Sequence, residues 1–124
     1  MNLTVQDNIY KFQKLMQSVK NIDLAVQHHF SKGLYARELF IPKGVCLVGA
    51  LHKTRHMFMV VTGTCRVSSQ FGNEEITGPF IGETQIGTKR VIYAETDCVW
   101  MTYHPTDLTN IAEIEDALLV PEEN

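Results

Sequence analysis

From Tyr35 to His104 the chain is a series of short apolar or alternating runs, each cut off before it reaches the length of an ordinary helix. Tyr35–Ile41 is closed by Pro42-Lys43-Gly44, a turn signal. Val45–Leu51, Met57–Val61 and Thr64–Ser69 follow, with Gly63 between the last two and the loop Gln70-Phe71-Gly72-Asn73 after them. Later strands are expected at Gly78–Ile81, Lys89–Ala94 and Cys98–His104, with Glu95-Thr96-Asp97 as the turn between the last two. Such spacing, at roughly 8–12 residues per strand, argues for a mainly β domain built as a small barrel or double-sheet jelly roll.

Both flanks read differently. Ile9, Phe12, Leu15, Met16 and Val19 fall at helical spacing behind Thr4 or Asp7, which predicts an N-terminal helix over 1–21. Leu108, Ile111, Ile114 and Leu118 form a second stripe, capped by Thr106 or Thr109 and ended by Pro121, within a helix and tail at 105–124. The whole chain, 1–124, is expected to be one domain with its jelly-roll core at 34–104. At 124 residues and 44% hydrophobic content it can bury a core without disulfide or metal.

Charge and cysteine usage exclude several classes. The net charge is −3 with Lys and Arg scattered, so no basic patch invites nucleic acid. No apolar run approaches the roughly 20 residues of a bilayer span, and the first residues lack the pattern of a secretory signal. A cytoplasmic location, with no membrane partner, is expected. Cys46, Cys65 and Cys98 are an odd count at wide spacing, read as reduced thiols packed as small hydrophobes.

One stretch carries more information than the rest. Gly44, Ala50, His52, His56 and Gly63 sit at the spacing of the first cupin motif, Gly-x5-His-x-His-x3–4-Glu-x6-Gly, which this chain resembles. Ala50 stands at the first His and His56 at the Glu. The second motif, Pro-x-Gly-x-x-His, is represented by Gln85, Gly87 and Arg90. Two of the four usual ligand positions, Ala50 and Arg90, therefore cannot bind metal. The chain as a whole is similar to small cupin-like proteins of tailed bacteriophages and prophages, a resemblance that implies a cupin-like jelly roll and a phage setting, with the host cytoplasm as location. Phe80-Ile-Gly-Glu83, Arg90 and Ala94-Glu-Thr-Asp97 are also similar to the phosphate cassette of cyclic-nucleotide-binding domains. There a Glu holds the ribose and an Arg the phosphate.

Three functional readings follow. The first is a non-catalytic binding or assembly module, because two ligand positions are lost and no catalytic set is complete. The second is a metal-dependent cupin enzyme holding Zn, Ni, Fe or Mn at His52 and His56 with His104 as third ligand. The third is a small-anion or cyclic-nucleotide site using Arg90, Glu83 and Tyr93, since a guanidinium binds carboxylate or phosphate through paired hydrogen bonds. Glu38 and Tyr35 are further cavity candidates, and a salt bridge to Glu83 or Glu95 is the alternative role of Arg90. With a three-residue loop joining them, the last two strands are expected to pair and bring Arg90 opposite Thr102, on one face with His104. His28 and His29 are adjacent, so an extended strand would point them to opposite faces. Phe58, Trp100, Met57 and Met59 are assigned to the core. The surplus apolar stripe of the first helix, with exposed sheet edges, predicts a homodimer.

Overall fold

A computed structural model describes residues 24–49 and 51–120. The helix expected over 1–21 lies outside the described residues. Nine strands and one helix follow: β1 (Val26–Ser31), β2 (Leu34–Ile41), β3 (Cys46–Val48), β4 (His56–Thr62), β5 (Thr64–Ser69), β6 (Gly72–Thr77), β7 (Phe80–Thr84), β8 (Arg90–Ala94), β9 (Cys98–His104) and α1 (Ile111–Leu118). Two antiparallel sheets form, ordered β1-β2-β9-β4-β7 and β3-β8-β5-β6. This is a jelly-roll sandwich. No helix among the described residues is long and apolar enough to cross a membrane.

Two strands carry little sequence signal. In β1 five of six residues are exposed, and in β6 only Ile76 is buried, so neither shows a clear apolar alternation. Both are edge strands, held by ladder hydrogen bonds more than by burial. The strand-bearing part thus begins at Val26 rather than at residue 34, and the loop expected at Gln70–Asn73 is a tight turn leading into β6.

A larger correction concerns β8 and β9. They are joined by the expected Glu95–Asp97 turn but do not pair: β8 lies between β3 and β5, whereas β9 lies between β2 and β4. The turn is held away from a hairpin geometry by Thr64, whose carbonyl accepts from the backbone N–H of Glu95 at 2.9 Å and of Thr96 at 3.2 Å. The chain crosses there from one sheet to the other. Gly63 makes the neighbouring crossing from β4 to β5 with φ of +95°, and a Cβ at that residue would collide with the carbonyl of Asp97.

The inward faces of both sheets meet in one core of Leu39, Ile41, Phe58, Val60, Cys65, Val67, Ile76, Ile92, Ala94, Cys98 and Trp100. Phe58 and Trp100 stack with ring centroids 4.7 Å apart and planes 2° from parallel. Met57 and Met59 point the other way, to the outer face of the large sheet, because inward His56, Phe58 and Val60 alternate with them. Their assignment to the core is corrected. Cys65 and Cys98 are fully buried free thiols; burial pushes the Cys65 thiol up to about 12.

α1 begins at Asn110, whose side-chain oxygen accepts from the Glu113 N–H at 3.1 Å. Thr106 instead receives the Leu108 N–H, so neither expected threonine caps the helix. Ile114 and Leu118 bury against Tyr35, which lays α1 across one end of the sandwich.

Candidate functional site

At the end covered by α1 the inward side chains turn polar and enclose a cavity of about 480 Å³. β4 opens on His56, β9 closes on His104, and both are buried. His52 comes from the loop before β4 rather than from a strand: β3 stops at Val48, and His52 forms an isolated antiparallel bridge with Leu119. That loop is stitched to the segment after α1 by the Lys53 N–H on the Leu118 carbonyl (2.7 Å) and the Val120 N–H on the Leu51 carbonyl (2.9 Å). The tail of the helix therefore sets where His52 stands.

The three imidazoles are mutual neighbours. Ring centroids lie 4.2 Å apart for His52 and His56, 4.6 Å for His56 and His104, and 5.3 Å for His52 and His104. One nitrogen from each lies within 4.8 Å of the others. Burial holds the His104 imidazole down at about 4, helped by the nearby His56 and Arg37 charges. Burial likewise lowers His56, with Arg90 adding to it against the hydrogen bond to the Thr54 carbonyl. At neutral pH both rings are neutral, the form that binds metal. His56 Nδ1 lies 3.3 Å from the Thr54 carbonyl; donating to it leaves Nε2 with its lone pair.

These residues fit a metal. Nδ1 of His104 is buried without a hydrogen-bond partner, a cost that a bound cation would remove. Imidazole nitrogens gathered within 4.8 Å of one another are the donor set that a divalent transition ion would take. Three protein ligands leave at least one position open.

Arg90 enters the same cavity from the opposite sheet. Its Nη1 donates to Thr84 Oγ1 at 2.9 Å, and Thr84 is the register partner of His56. Its guanidinium carbon lies 4.7 Å from the centre of the Phe58 ring and 5.7 Å from that of Trp100. Arg90, Thr102 and His104 do line one cavity, but from facing walls rather than along a shared hairpin.

The remaining sequence candidates scatter. Glu83 pairs with Arg55 at 3.4 Å and receives Gln85 Nε2 at 3.0 Å; with Arg90 it borders only a second, shallower depression of about 320 Å³. Tyr93 is 42% exposed and outside the large cavity, because Ile92 and Ala94 take the inward positions of β8. Glu38 faces out and meets His29 at 3.2 Å, while His28 turns inward to the Tyr35 hydroxyl at 2.7 Å, so the two histidines do part to opposite faces. Glu95 is engaged by Arg66. Ala50 lies outside the described residues. Sequence reasoning missed Arg37, which reaches the cavity from β2, and Glu115, which reaches it from α1. Strand alternation through Tyr35 and Leu39 was the signal for Arg37.

No protein-family model matches the chain, and a comparison with curated proteins finds no match. Solved structures do share its fold. A cupin-2 domain protein of Shewanella frigidimarina is 14% identical with a TM-score of 0.56, over 82% of this chain and 99% of that one. The Cnp3 cupin domain of Schizosaccharomyces pombe is 15% identical with a TM-score of 0.57, over 82% and 76%. The DMSP lyase DddQ of Ruegeria pomeroyi is 11% identical with a TM-score of 0.59, over 70% of this chain and 49% of the lyase. The fold is the cupin jelly roll; proteins that share it differ in function.

Proposed function

We propose that this chain is a metal-dependent small-molecule protein, in which His52, His56 and His104 hold a divalent transition ion at the polar end of the jelly roll. One observation carries the reading: three imidazoles from a loop and two strands converge on a cavity large enough for a small organic ligand. This places the metal reading above the non-catalytic module that the altered motif positions suggested. Zn, Ni, Fe and Mn are the candidate ions, with imidazole donors favouring the first three. When bound, such an ion would supply Lewis-acid polarisation of a ligand oxygen at its open position. The protein's own contribution is to keep His56 and His104 neutral and to wall the site with the apolar face of Trp100, Ile92 and Leu39.

Elemental analysis of tag-free protein tests this directly. About one equivalent of metal is expected in the wild type as purified, and after chelation, adding metal back at a hundredfold excess over Kd should stabilise the protein by about 2.7 kcal/mol. Both should vanish in the His52→Ala/His56→Ala double variant. Less than about a tenth of an equivalent, with no thermal response to Zn, Ni, Fe or Mn, would sink the reading.

The phage setting and the host cytoplasm rest on the sequence resemblance alone. Pairing of two copies is proposed for the outer face of the large sheet, where Met57, Met59, Met101, Tyr103 and Ile81 lie together. Sedimentation should give twice the 14.1 kDa chain mass; a monomer at high micromolar concentration would refute it.

A further inference from the structure

The cavity carries an excess of positive charge that the metal reading does not use. Arg37 and Arg90 both line it, against a single carboxylate, Glu115, among the described lining residues. No carboxylate of the described residues lies within ion-pair distance of either arginine. Of the acids around Arg90, Glu83 is engaged by Arg55 and Glu95 by Arg66, while the Glu74 charge reaches Arg90 only from beyond ion-pair distance, across the shallower depression. Among the described residues Arg90 has one side-chain hydrogen-bond acceptor, Thr84, and its Nε is buried with none. A guanidinium withdrawn from water with an unmet donor is costly unless an acceptor comes to it.

We propose that Arg90 anchors the carboxylate of an organic monoacid that enters this cavity beside the histidine triad. The inference deepens the metal reading by naming the class of ligand, and rests on that reading for the role of the triad. A carboxylate fits better than phosphate. The Arg90 guanidinium carbon lies over the Phe58 and Trp100 rings, which hold the group in place, and a flat two-donor edge matches a flat two-oxygen acceptor. Gly49 is the one glycine among the described lining residues, so no glycine-rich run of N–H groups supplies the several donors a phosphate takes. Leu39, Leu47, Ile92 and Trp100 offer an apolar wall for the organic body of the acid. The anion would also offset the repulsion between Arg90 and a cation at the triad, so metal and acid should each tighten the binding of the other by the same factor.

The experiment compares benzoate and propanoate with benzamide, propanamide and inorganic phosphate at equal ionic strength. Calorimetry and thermal shift are run on metal-free wild type, on R90Q and R90K, and on His52→Ala/His56→Ala. The acids are expected to bind wild type and the amides are not. R90Q should weaken the acids by about tenfold or more, R90K by less, and the double histidine variant should keep its acid binding in metal-free form. In folded wild type the Arg90 Nε–H resonance should move when acid is added, a readout that needs no variant to fold. Amides binding as well as acids, phosphate binding more tightly than either acid, an unmoved Nε–H, or R90Q binding acid like wild type would each overturn the proposal. A wild type that takes no metal yet shows acid binding through Arg90 leaves this inference standing and removes the metal reading. Metal uptake with no response to acid does the reverse.

Discussion

Both ends of this jelly roll are built from the same strands, yet they do opposite things. Followed inward from one end, β2 presents Ile41, Leu39, Arg37 and Tyr35, and β9 presents Cys98, Trp100, Thr102 and His104. β4 runs Val60, Phe58, His56, and β8 runs Ala94, Ile92, Arg90. The register aligns these series, with Ile41 opposite Cys98, Leu39 opposite Trp100 and Tyr35 opposite His104. One end is closed and apolar: Ile41, Val60, Cys65, Ala94 and Cys98 have no exposed surface. The other gathers four imidazoles and two guanidinium groups around a cavity. Stability is concentrated at the first end and chemistry at the second. Polar groups that would be ruinous in the closed core can be tolerated where a ligand completes their bonding.

That division can be broken by experiment. The largest effect is expected from Trp100→Ala, which deletes the central inward ring of β9 and its stack on Phe58; the loss should be about 3–5 kcal/mol in urea unfolding. His104→Ala, two inward positions along the same strand, should cost no more than about 1–2 kcal/mol. Equal losses would show that the two ends are not energetically distinct.

The next effect is acid sensitivity confined to the polar end. His104 titrates at about 4 when folded and near 6.5 when unfolded, so the unfolded chain binds a proton that the folded one refuses. Stability of the metal-free protein from this source should be full above about pH 6.5 and fall as pH drops toward about 4. His56, also lowered by burial, acts in the same direction. The loss is at most about 3 kcal/mol, and less where water reaches the cavity. Urea midpoints measured from pH 7.5 to 4 should show the slope, and His104→Ala should flatten it. An unchanged slope in that variant would place the acid sensitivity elsewhere.

The smallest effect sharpens the link between α1 and the site. Asn110→Ala removes the helix N-cap and should cost about 1 kcal/mol. Because the segment after α1 ties down the loop of His52, metal affinity should fall severalfold in the same variant. If affinity holds while Tm drops, the loop is positioned without the helix.

Some of this was legible in the sequence because it rests on local physics. Alternation and turn residues located seven of the nine strands, the stripe through Ile111, Ile114 and Leu118 located α1, and the motif spacing singled out His52 and His56. Period-two alternation even separated His28 from His29. Other features could not be read along the chain. β1 and β6 are held by edge pairing, which leaves little apolar pattern. Whether β8 and β9 form a hairpin or part into facing sheets depends on the backbone of Thr64, thirty residues upstream of the turn it holds. The inward direction of Arg37 and Arg90, and the outward one of Tyr93 and Met57, follow only once each strand has its partners. The sequence by itself determined a β-rich chain with a histidine pair at a recognisable spacing. Tertiary structure alone decided that Arg37 joins that pair and that the expected His104 and Arg90 reach it from facing sheets, because strand pairing is non-local and a shift of one residue turns every side chain to the other face.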